Sequence, residues 1–332
     1  MTKHSQRLVG TMKQLISVIM CTYNEGQKEL AQAIQSILSQ TYTCFELLIV
    51  LDNPENQLIR ELVFSYAQKD HRIRVVENKR NMGVAKSTNR AWKMAKGKYI
   101  AKMDADDIAS PQRLERELEV LLERKLDFVA ASKRNIDEQG NQLGFFVNSL
   151  NPDQVRLLLP YDNLVNQSTV LMKKSVLKEL NGYTNLPSCE DYDLWLRMMC
   201  SGYRMAILPD IFVDYRVRQN SITRTDHYKQ YLSDCFVRRM CHAYRRSHKL
   251  WTIDDFRQYI KKRRPDLQKK RRFNHCYGLY YKGMEARKVG RYRDFICYVL
   301  TGTLQEPRVM ALLIRKLMFH IRKKIVLGAS CL

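Results

Sequence analysis

Three carboxylates fall within four positions at Asp104-Ala105-Asp106-Asp107, directly after the apolar run Tyr99-Ile100-Ala101-Lys102-Met103. The run reads as a buried strand, and the acids come where it would end, with Ser110 expected as a helix N-cap and Pro111 as the first helical residue. In open α/β sheets that carboxyl edge is where ligands bind. Acids this close repel one another unless a cation lies among them, and oxygen-rich sites suit Mg²⁺ or Mn²⁺ alongside a substrate's phosphates. The pattern points to a metal-diphosphate site. The alternative is a solvated acidic turn that favours the next helix through its dipole.

A second acidic group, Glu190-Asp191-Tyr192-Asp193, opens a stretch whose Leu194, Trp195, Met198 and Met199 form one helical face. Acids in a first helical turn can serve only as caps. They can also act as a general base, because a carboxylate at a helix N-terminus stays ionised and aimed, as proton removal from an alcohol requires. Asp191 is the candidate base. Further polar groups stand at two more strand ends: Thr22, Tyr23 and Glu25 after Leu15–Cys21, and Asp52 after Phe45–Leu51. A carboxylate such as Asp52 can accept a hydrogen bond from a nucleobase N–H, and an aromatic such as Tyr23 can lie against the base. Asp52 before Asn53-Pro54 also suits an ordinary turn. Taken together these residues describe a nucleotide cleft.

The elements that must position them alternate. Leu30, Ala33, Ile34, Ile37 and Leu38 space one helix, Leu58, Leu62, Val63 and Ala67 a second, and Val84–Ala95 a third that Gly97 is expected to stop. Ile73–Val76, Phe128–Ser132 and Ser168–Met172 read as strands, Asp137–Gly140 as a hairpin turn, and Lys174–Leu180 as a short helix stopped by Asn181-Gly182. This alternation predicts an α/β fold with a mainly parallel, doubly wound sheet. The first turn has a single glycine, Gly26, and lacks the phosphate-binding glycine pattern, which disfavours a hydride-transfer enzyme.

With 332 residues, 45% of them hydrophobic, the chain can bury a full core plus an appendage. Its nine cysteines show no Cys-x-x-Cys spacing, which argues against a disulfide framework or a zinc module and suits a reducing cytosol. The polar stretch from Met1 to Gln14 carries no apolar signal run, and no window reaches the roughly 18 apolar residues of a membrane span. The expectation is a cytoplasmic protein that does not span the membrane. Net charge is +23, and from Val217 to Leu332 there are 28 Lys+Arg against 8 Asp+Glu, so 28 − 8 = +20 lies in the last third. The expected layout is a tail over 1–14, an α/β domain over 15–225 and a basic helical region over 226–332. In that region Met310, Leu313, Ile314, Leu317, Ile321 and Ile325 recur at helical spacing, with Arg315, Lys316, Arg322 and Lys323 largely opposite. Such a helix either lies in an anionic membrane interface or packs its apolar face on the domain. A nucleic-acid-binding protein would explain the charge but not the ordered acids, and no nucleic acid is expected. A nucleotidyltransferase would share the cleft and the metal.

Ser17-Val18-Ile19-Met20-Cys21-Thr22-Tyr23-Asn24-Glu25, Asn81-Met82-Gly83 with Asn89, Asp104-Ala105-Asp106-Asp107 and Glu190-Asp191-Tyr192-Asp193-Leu194-Trp195-Leu196-Arg197 together resemble family 2 of the glycosyltransferases. The likeness runs from about Ile16 to Thr223, and is to bacterial members that build capsule, exopolysaccharide or lipopolysaccharide sugars. It implies a GT-A fold, a nucleotide-diphosphate sugar donor, a glycan or glycolipid acceptor, Mn²⁺ or Mg²⁺ as cofactor, and inversion at the anomeric carbon. By position, Asp104 and Asp106 match the Asp-x-Asp pair, the second acid being the one on the metal. Thr22, Tyr23, Glu25 and Asp52 match donor-base contacts, Lys86 a basic residue facing the nucleotide, and Asp191 the catalytic base, with Glu190 beside it. Where members often carry His-Pro and a later His, this chain has Gln167-Ser168 and Arg218; Arg218 is a candidate for contacting the departing diphosphate. Because surface glycosyltransferases act on lipid-linked acceptors, the likeness also implies peripheral attachment to the inner face of the cell membrane.

Overall fold

The computed structural model describes residues 14–218, 227–264 and 266–328. The expected tail, Gln14 excepted, lies outside the described residues, as do the expected boundary at 225/226, Pro265 and Cys331. The described chain forms two compact units. The first contains residues 14–151, 165–183 and 202–217; the second contains 152–164, 184–201 and the described residues from 218 onward. The division does not follow the order expected from composition. Two stretches from inside the α/β region belong with the basic helices, to which Arg238 ties the carbonyls of Pro160 and Tyr161 and Trp251 ties Asp193.

In the first unit, β-branched and other apolar runs make β1 (Ile16–Thr22), β2 (Phe45–Leu51), β3 (Ile73–Glu77) and β4 (Tyr99–Asp104). All seven residues of β2 and six of the seven in β1 are buried, as suits strands covered on both faces. Between them run α1 (Gln27–Leu38), α2 (Gln57–Lys69) and α3 (Val84–Met94), whose buried faces include Leu30, Ile34, Ile37, Ile59 and Val63. The chain continues through β5 (Ile108–Ala109), α4 (Arg113–Glu123), β6 (Phe128–Ile136), β7 (Gln142–Phe146), β8 (Val170–Lys173), α6 (Lys174–Glu179) and β9 (Met205–Arg216). The nine-stranded sheet has the order β3-β2-β1-β4-β8-β6-β9-β5, with β7 beside β6. Its first four strands are parallel, as is the β6–β9 pair; β8, β7 and β5 pair antiparallel with their neighbours. The mixed α/β layout is the one the alternation predicts, and the hairpin turn at 137–140 joins β6 to β7.

Two local expectations fail. Ser110 is not an N-cap and Pro111 is not helical: Ile108-Ala109 is drawn into pairing with Val213 and Asp214, the Ser110 amide donates to Phe212 O at 2.8 Å, and α4 starts at Arg113 after Gln112. Nor does Gly97 stop α3, which ends at Met94 before an extended Ala95. Gly97 is required by a close approach: a Cβ there would meet Ser17 N at 2.6 Å, Ser17 Oγ at 2.6 Å and Leu15 O at 2.7 Å.

The second unit is helical. It has α5 (Pro152–Leu158), α7 (Glu190–Cys200), α8 (His227–Ser247), α9 (Ile253–Arg263), α10 (Leu267–Lys288), α11 (Tyr292–Gln305) and α12 (Pro307–Gly328). Tyr228, Leu232, Phe273, Cys276, Tyr277, Val309 and Leu312 form its core. α7 is fastened to the helices after it: the Trp251 indole N–H donates to Asp193 Oδ1, and the Arg238 guanidinium lies 5.2 Å from the Tyr192 ring centroid. Among the described residues no helix is long and apolar enough to cross a membrane.

Candidate active site

In the first unit the sheet reverses its direction of growth at β1: β2 and β3 lie to one side, β4 to the other. The carboxyl ends of strands beside such a switch point form a ready-made ligand crevice. In register, Cys21 stands opposite Asp104 and Thr22 opposite Leu51, and the Asp52 amide donates to Thr22 O at 2.9 Å. Thr22, Asp52 and Asp104 thus end three adjacent parallel strands. The turn after β1 is closed by Glu25, whose Oε2 accepts from Thr22 Oγ1 at 2.6 Å and from the Tyr23 amide at 2.7 Å. The Tyr23 ring is left exposed.

Asp52 is buried, and its carboxylate organises the neighbouring loop. Oδ1 accepts from Asn78 Nδ2 at 2.7 Å and the Met82 amide at 2.8 Å, and Oδ2 from the Gly83 amide at 2.9 Å. Gly83 sits at φ 80°, a conformation that favours glycine, and precedes α3. The exposed Lys86 lies on the first turn of that helix. Asn89, also on α3, donates to Tyr183 O at 2.7 Å and accepts from the Tyr183 amide at 2.9 Å, which fixes the turn after α6.

At the acidic turn itself the structure brings in groups that no spacing rule reveals. Lys102, two residues before Asp104 and so on the same face of β4, is buried and places Nζ 3.0 Å from Asp104 Oδ1. Burial would drive off the lysine's proton, but Asp104 outweighs it and holds Lys102 above its ordinary range. Burial raises Asp104 in turn, yet the Lys102 charge and hydrogen bond prevail and keep it below the usual carboxylate range. The Asp104 amide donates to Ser168 Oγ at 3.1 Å, so Ser168 helps to set this strand end. Asp107 is fully buried. Burial first, then the charges of Asp106 and Asp104, push it well above the carboxylate range. Its Oδ1 accepts from the Arg216 amide at 2.9 Å, while Oδ2 has no hydrogen-bond partner. Arg216 staples the turn, its guanidinium donating to the carbonyls of Asp106, Asp137 and Glu138 and to Gln32 Oε1. Lys133 on β6 lies with Nζ 3.4 Å from the Tyr215 ring centroid, and burial brings it down to about 8 against the pull of Asp107 and Asp104. Lys102, Lys133 and Ser168 were not singled out from the sequence as site residues. A lysine in a strand ordinarily reads as a solvent-facing position.

The donor set can be weighed against a divalent cation. Among the described residues no group of three or more His, Cys, Asp or Glu is arranged to enclose a metal ion. A cation held by one or two carboxylates and completed by substrate phosphates needs no such cage. At this turn Asp104 is already paired with Lys102, and Asp107, raised first by burial and then by Asp106 and Asp104, keeps one orphaned oxygen, Oδ2, so an oxygen donor set for a hard cation such as Mg²⁺ or Mn²⁺ is present beside Asp106.

In the second unit Asp191 lies in the first turn of α7, half-buried. Its Oδ1 accepts from the Tyr192 amide at 2.6 Å and Oδ2 from Asn163 Nδ2 at 3.3 Å. The cap of α7 is Cys189, with no side-chain capping bond. The acids of this turn have different tasks. Asp193 is sealed inside, paired with Arg197 Nε at 2.9 Å and with Trp251, whereas Asp191 and Glu190 retain exposure. Arg218 is half-buried.

The model of glycosyl transferase family 2 matches residues 17–180. An uncharacterized glycosyltransferase of Methanocaldococcus jannaschii is 38% identical over 229 residues, covering 68% of this chain and 79% of that protein. The O-antigen biosynthesis glycosyltransferase WbnJ of Escherichia coli is 31% identical over 216 residues, covering 64% of this chain and 83% of its own length. Among solved structures, residues 1–349 of S. aureus TarS, in complex with UDP-GlcNAc, superpose with a TM-score of 0.56 at 17% identity, over 86% of this chain and 90% of that one. That likeness shows the GT-A fold.

Proposed function

The chain belongs to glycosyl transferase family 2, and from that premise we propose that it moves a sugar, with inversion, from a nucleotide-diphosphate sugar to a hydroxyl of a growing, lipid-linked surface glycan. The observation that carries this is the set of polar side chains Thr22, Asp52 and Asp104 ending three adjacent parallel strands at the sheet's switch point, with Asp106 following. Tyr23 offers an exposed ring for a base, and Asp52 with Glu25 holds the loops on either side. The UDP-GlcNAc bound by TarS supports a UDP-sugar as donor, and WbnJ's part in O-antigen synthesis supports a surface glycan as product. An acceptor of that kind places the protein peripherally at the inner face of the membrane.

Asp106, with Asp104 and Asp107 beside it, would hold Mg²⁺ or Mn²⁺; the cation, when bound, offsets negative charge growing on the departing diphosphate. Asp104, kept ionised by Lys102, is set to accept a hydrogen bond from a donor hydroxyl. Lys133, Lys86 and Arg218 supply positive charge for phosphate. Asp191, aimed by Tyr192 N–H and Asn163, takes the acceptor hydroxyl's proton. An ordinary Asp, with a pKa near 3.9, is a weak base and acts late in the displacement, through position. The test pairs a thermal-shift screen of nucleotide sugars, run with Mn²⁺ and with excess chelator, with transfer assays of Asp191→Asn. The variant is expected to bind donor as the parent does and to lose transfer by about 10²–10⁴-fold, the range for general acid–base catalysis. Normal transfer by the variant would reduce Asp191 to a helix-end acid, and full activity in chelator would remove the metal from the account.

A further inference from the structure

α12 has two apolar faces. Val309, Leu312 and Phe319 are buried, whereas Met310, Ile314, Leu317, Met318, Ile321 and Ile325, three and four residues apart, are 39–65% exposed. The helix therefore does not spend its broad apolar stripe on its own fold. α11 repeats the pattern: Tyr292, Ile296, Leu300 and Leu304, each four apart, are 53–73% exposed, and the two helices pack against each other across Glu306. Outward apolar stripes on adjacent helices mark an interaction surface.

The charge on α12 selects the occupant. Arg308, Arg315, Lys316, Arg322, Lys323 and Lys324 are on the helix, and no acid is. Arg308 and Arg315 are paired with Glu306 and Asp234, while Lys316, Arg322 and Lys324 have no acid within ion-pair distance among the described residues. A second copy would bring the same cations to the contact, while nucleic acid would leave the apolar stripe in water. An anionic lipid surface satisfies both features. At the far end of the stripe is a cavity of about 380 Å³ lined by Leu157, Tyr161, Arg245, Arg322, Ile325 and Val326, large enough for a small ligand. Its lining joins two guanidiniums to aliphatic walls, and the Arg322 guanidinium is fixed over the Tyr161 ring at 4.0 Å. Ile325 belongs both to this cavity and to the exposed stripe, so apolar surface runs from the helix face into the site.

We propose that α12 lies in the interface of an anionic membrane with its Ile314–Ile325 face among the acyl chains, and that the Arg245–Arg322 cavity takes the phosphate of an anionic lipid. The purpose of this contact rests on the membrane-borne acceptor read above; its observations do not. Guanidinium pairs suit phosphate because they donate in a planar, bidentate fork.

The test is co-sedimentation of the full chain with vesicles of phosphatidylcholine alone and of phosphatidylcholine with phosphatidic acid, beside a thermal-shift titration with UDP-sugars. The parent is expected on anionic vesicles only. Arg245→Gln/Arg322→Gln should weaken that binding about 25-fold, near fivefold for each charge lost at a lipid surface. Ile314→Glu/Ile321→Glu, at exposed positions, should weaken it by more than about tenfold, since buried apolar area also sets the affinity of such helices. Ile314→Glu/Ile321→Glu should leave the melting temperature unchanged, Arg245→Gln/Arg322→Gln should lower it only by the lost contact of Arg322 with the Tyr161 ring, and neither should change nucleotide-sugar binding. Equal binding by parent and variants, or no binding by the parent, overturns the proposal. So does a concentration-dependent dimer that Ile314→Glu/Ile321→Glu dissolves. Vesicle binding without any nucleotide-sugar binding would overturn the proposed function and leave this surface standing.

Discussion

Lys102→Met leaves the buried aliphatic stem in place and deletes only the ammonium, 3.0 Å from Asp104. Breaking a buried ion pair from one side costs about 3–5 kcal/mol, because the surviving charge stays desolvated. Here the Asp104 side chain keeps 33% of its surface exposed, so water recovers part of that loss and about 2–4 kcal/mol is expected. The substitution also leaves Asp104, Asp106 and Asp107 with less compensation, and Asp104 should rise from its depressed position. The sign follows: a depressed acid stabilises the fold above its unfolded pKa and loses that contribution as pH falls through the folded value. Lys102→Met should therefore flatten the loss of stability on acidification. Urea unfolding at pH 7 and pH 4 measures both effects, and Lys102→Met/Asp104→Asn should recover most of the deficit, since it removes the stranded charge as well. A single variant within about 0.5 kcal/mol of the parent, or a double variant worse than the single one, would refute the account of how Asp104 is held.

Glu117 pairs with Arg113 Nε at 3.1 Å but has an unpartnered Oε2, and burial pushes it up to about 7 from 4.5. The unfolded chain then holds fewer protons between those values, so stability should drop by on the order of 2 kcal/mol as pH rises from 5 to 8, and Glu117→Gln should abolish most of that drop in urea titrations. Lys133, brought down to about 8, is cationic at neutral pH and loses its charge just above it. Donor affinity measured by calorimetry should therefore weaken above about pH 8 in the parent and be weak and flat in Lys133→Met; a parallel fall in both would clear Lys133 of any part in binding. Gly97→Ala would set a Cβ within 2.6–2.7 Å of the Ser17 and Leu15 backbone, and forcing those strands apart should cost about 1–3 kcal/mol by thermal unfolding. An unchanged melting temperature would show that the strands yield to a methyl group there without cost.

The sheet was legible wherever burial on both faces left mostly apolar runs, as in β1, β2 and β4, each broken inside by a single polar residue (Ser17, Glu46, Lys102), and the polar groups at their ends could be placed from that. What escaped reading depended on partners distant in sequence. β5 is two residues long and exists because β9, more than a hundred positions later, offers it a ladder; the same pairing shifted α4 away from Ser110. Lys102 and Lys133 are invisible for a related reason: their burial is set by strands on either side, and nothing local marks it. From sequence alone Asp52 is a candidate base contact or a turn starter. It holds the loop at 82–83 through both oxygens, a task that needs the β2–α3 geometry to be known. On α12 the apolar spacing was visible, but spacing gives no direction, and only the buried Val309, Leu312 and Phe319 reveal which side turns inward.

The path of the backbone between the two units bears on how this protein can be cut. Residues 184–201, α7 and Asp191 with them, belong with helices that come later in the chain: Trp251 seals Asp193 and Arg238 covers Tyr192. A chain ended after residue 225 would retain every strand of the first unit, with Asp52, Asp104 and Asp106. It would nonetheless strip the Asp191 helix of its bed, so, on the function proposed above, a shortened protein that still took up nucleotide sugar but no longer delivered it would be the natural product of trimming what looks, on charge alone, like a dispensable tail.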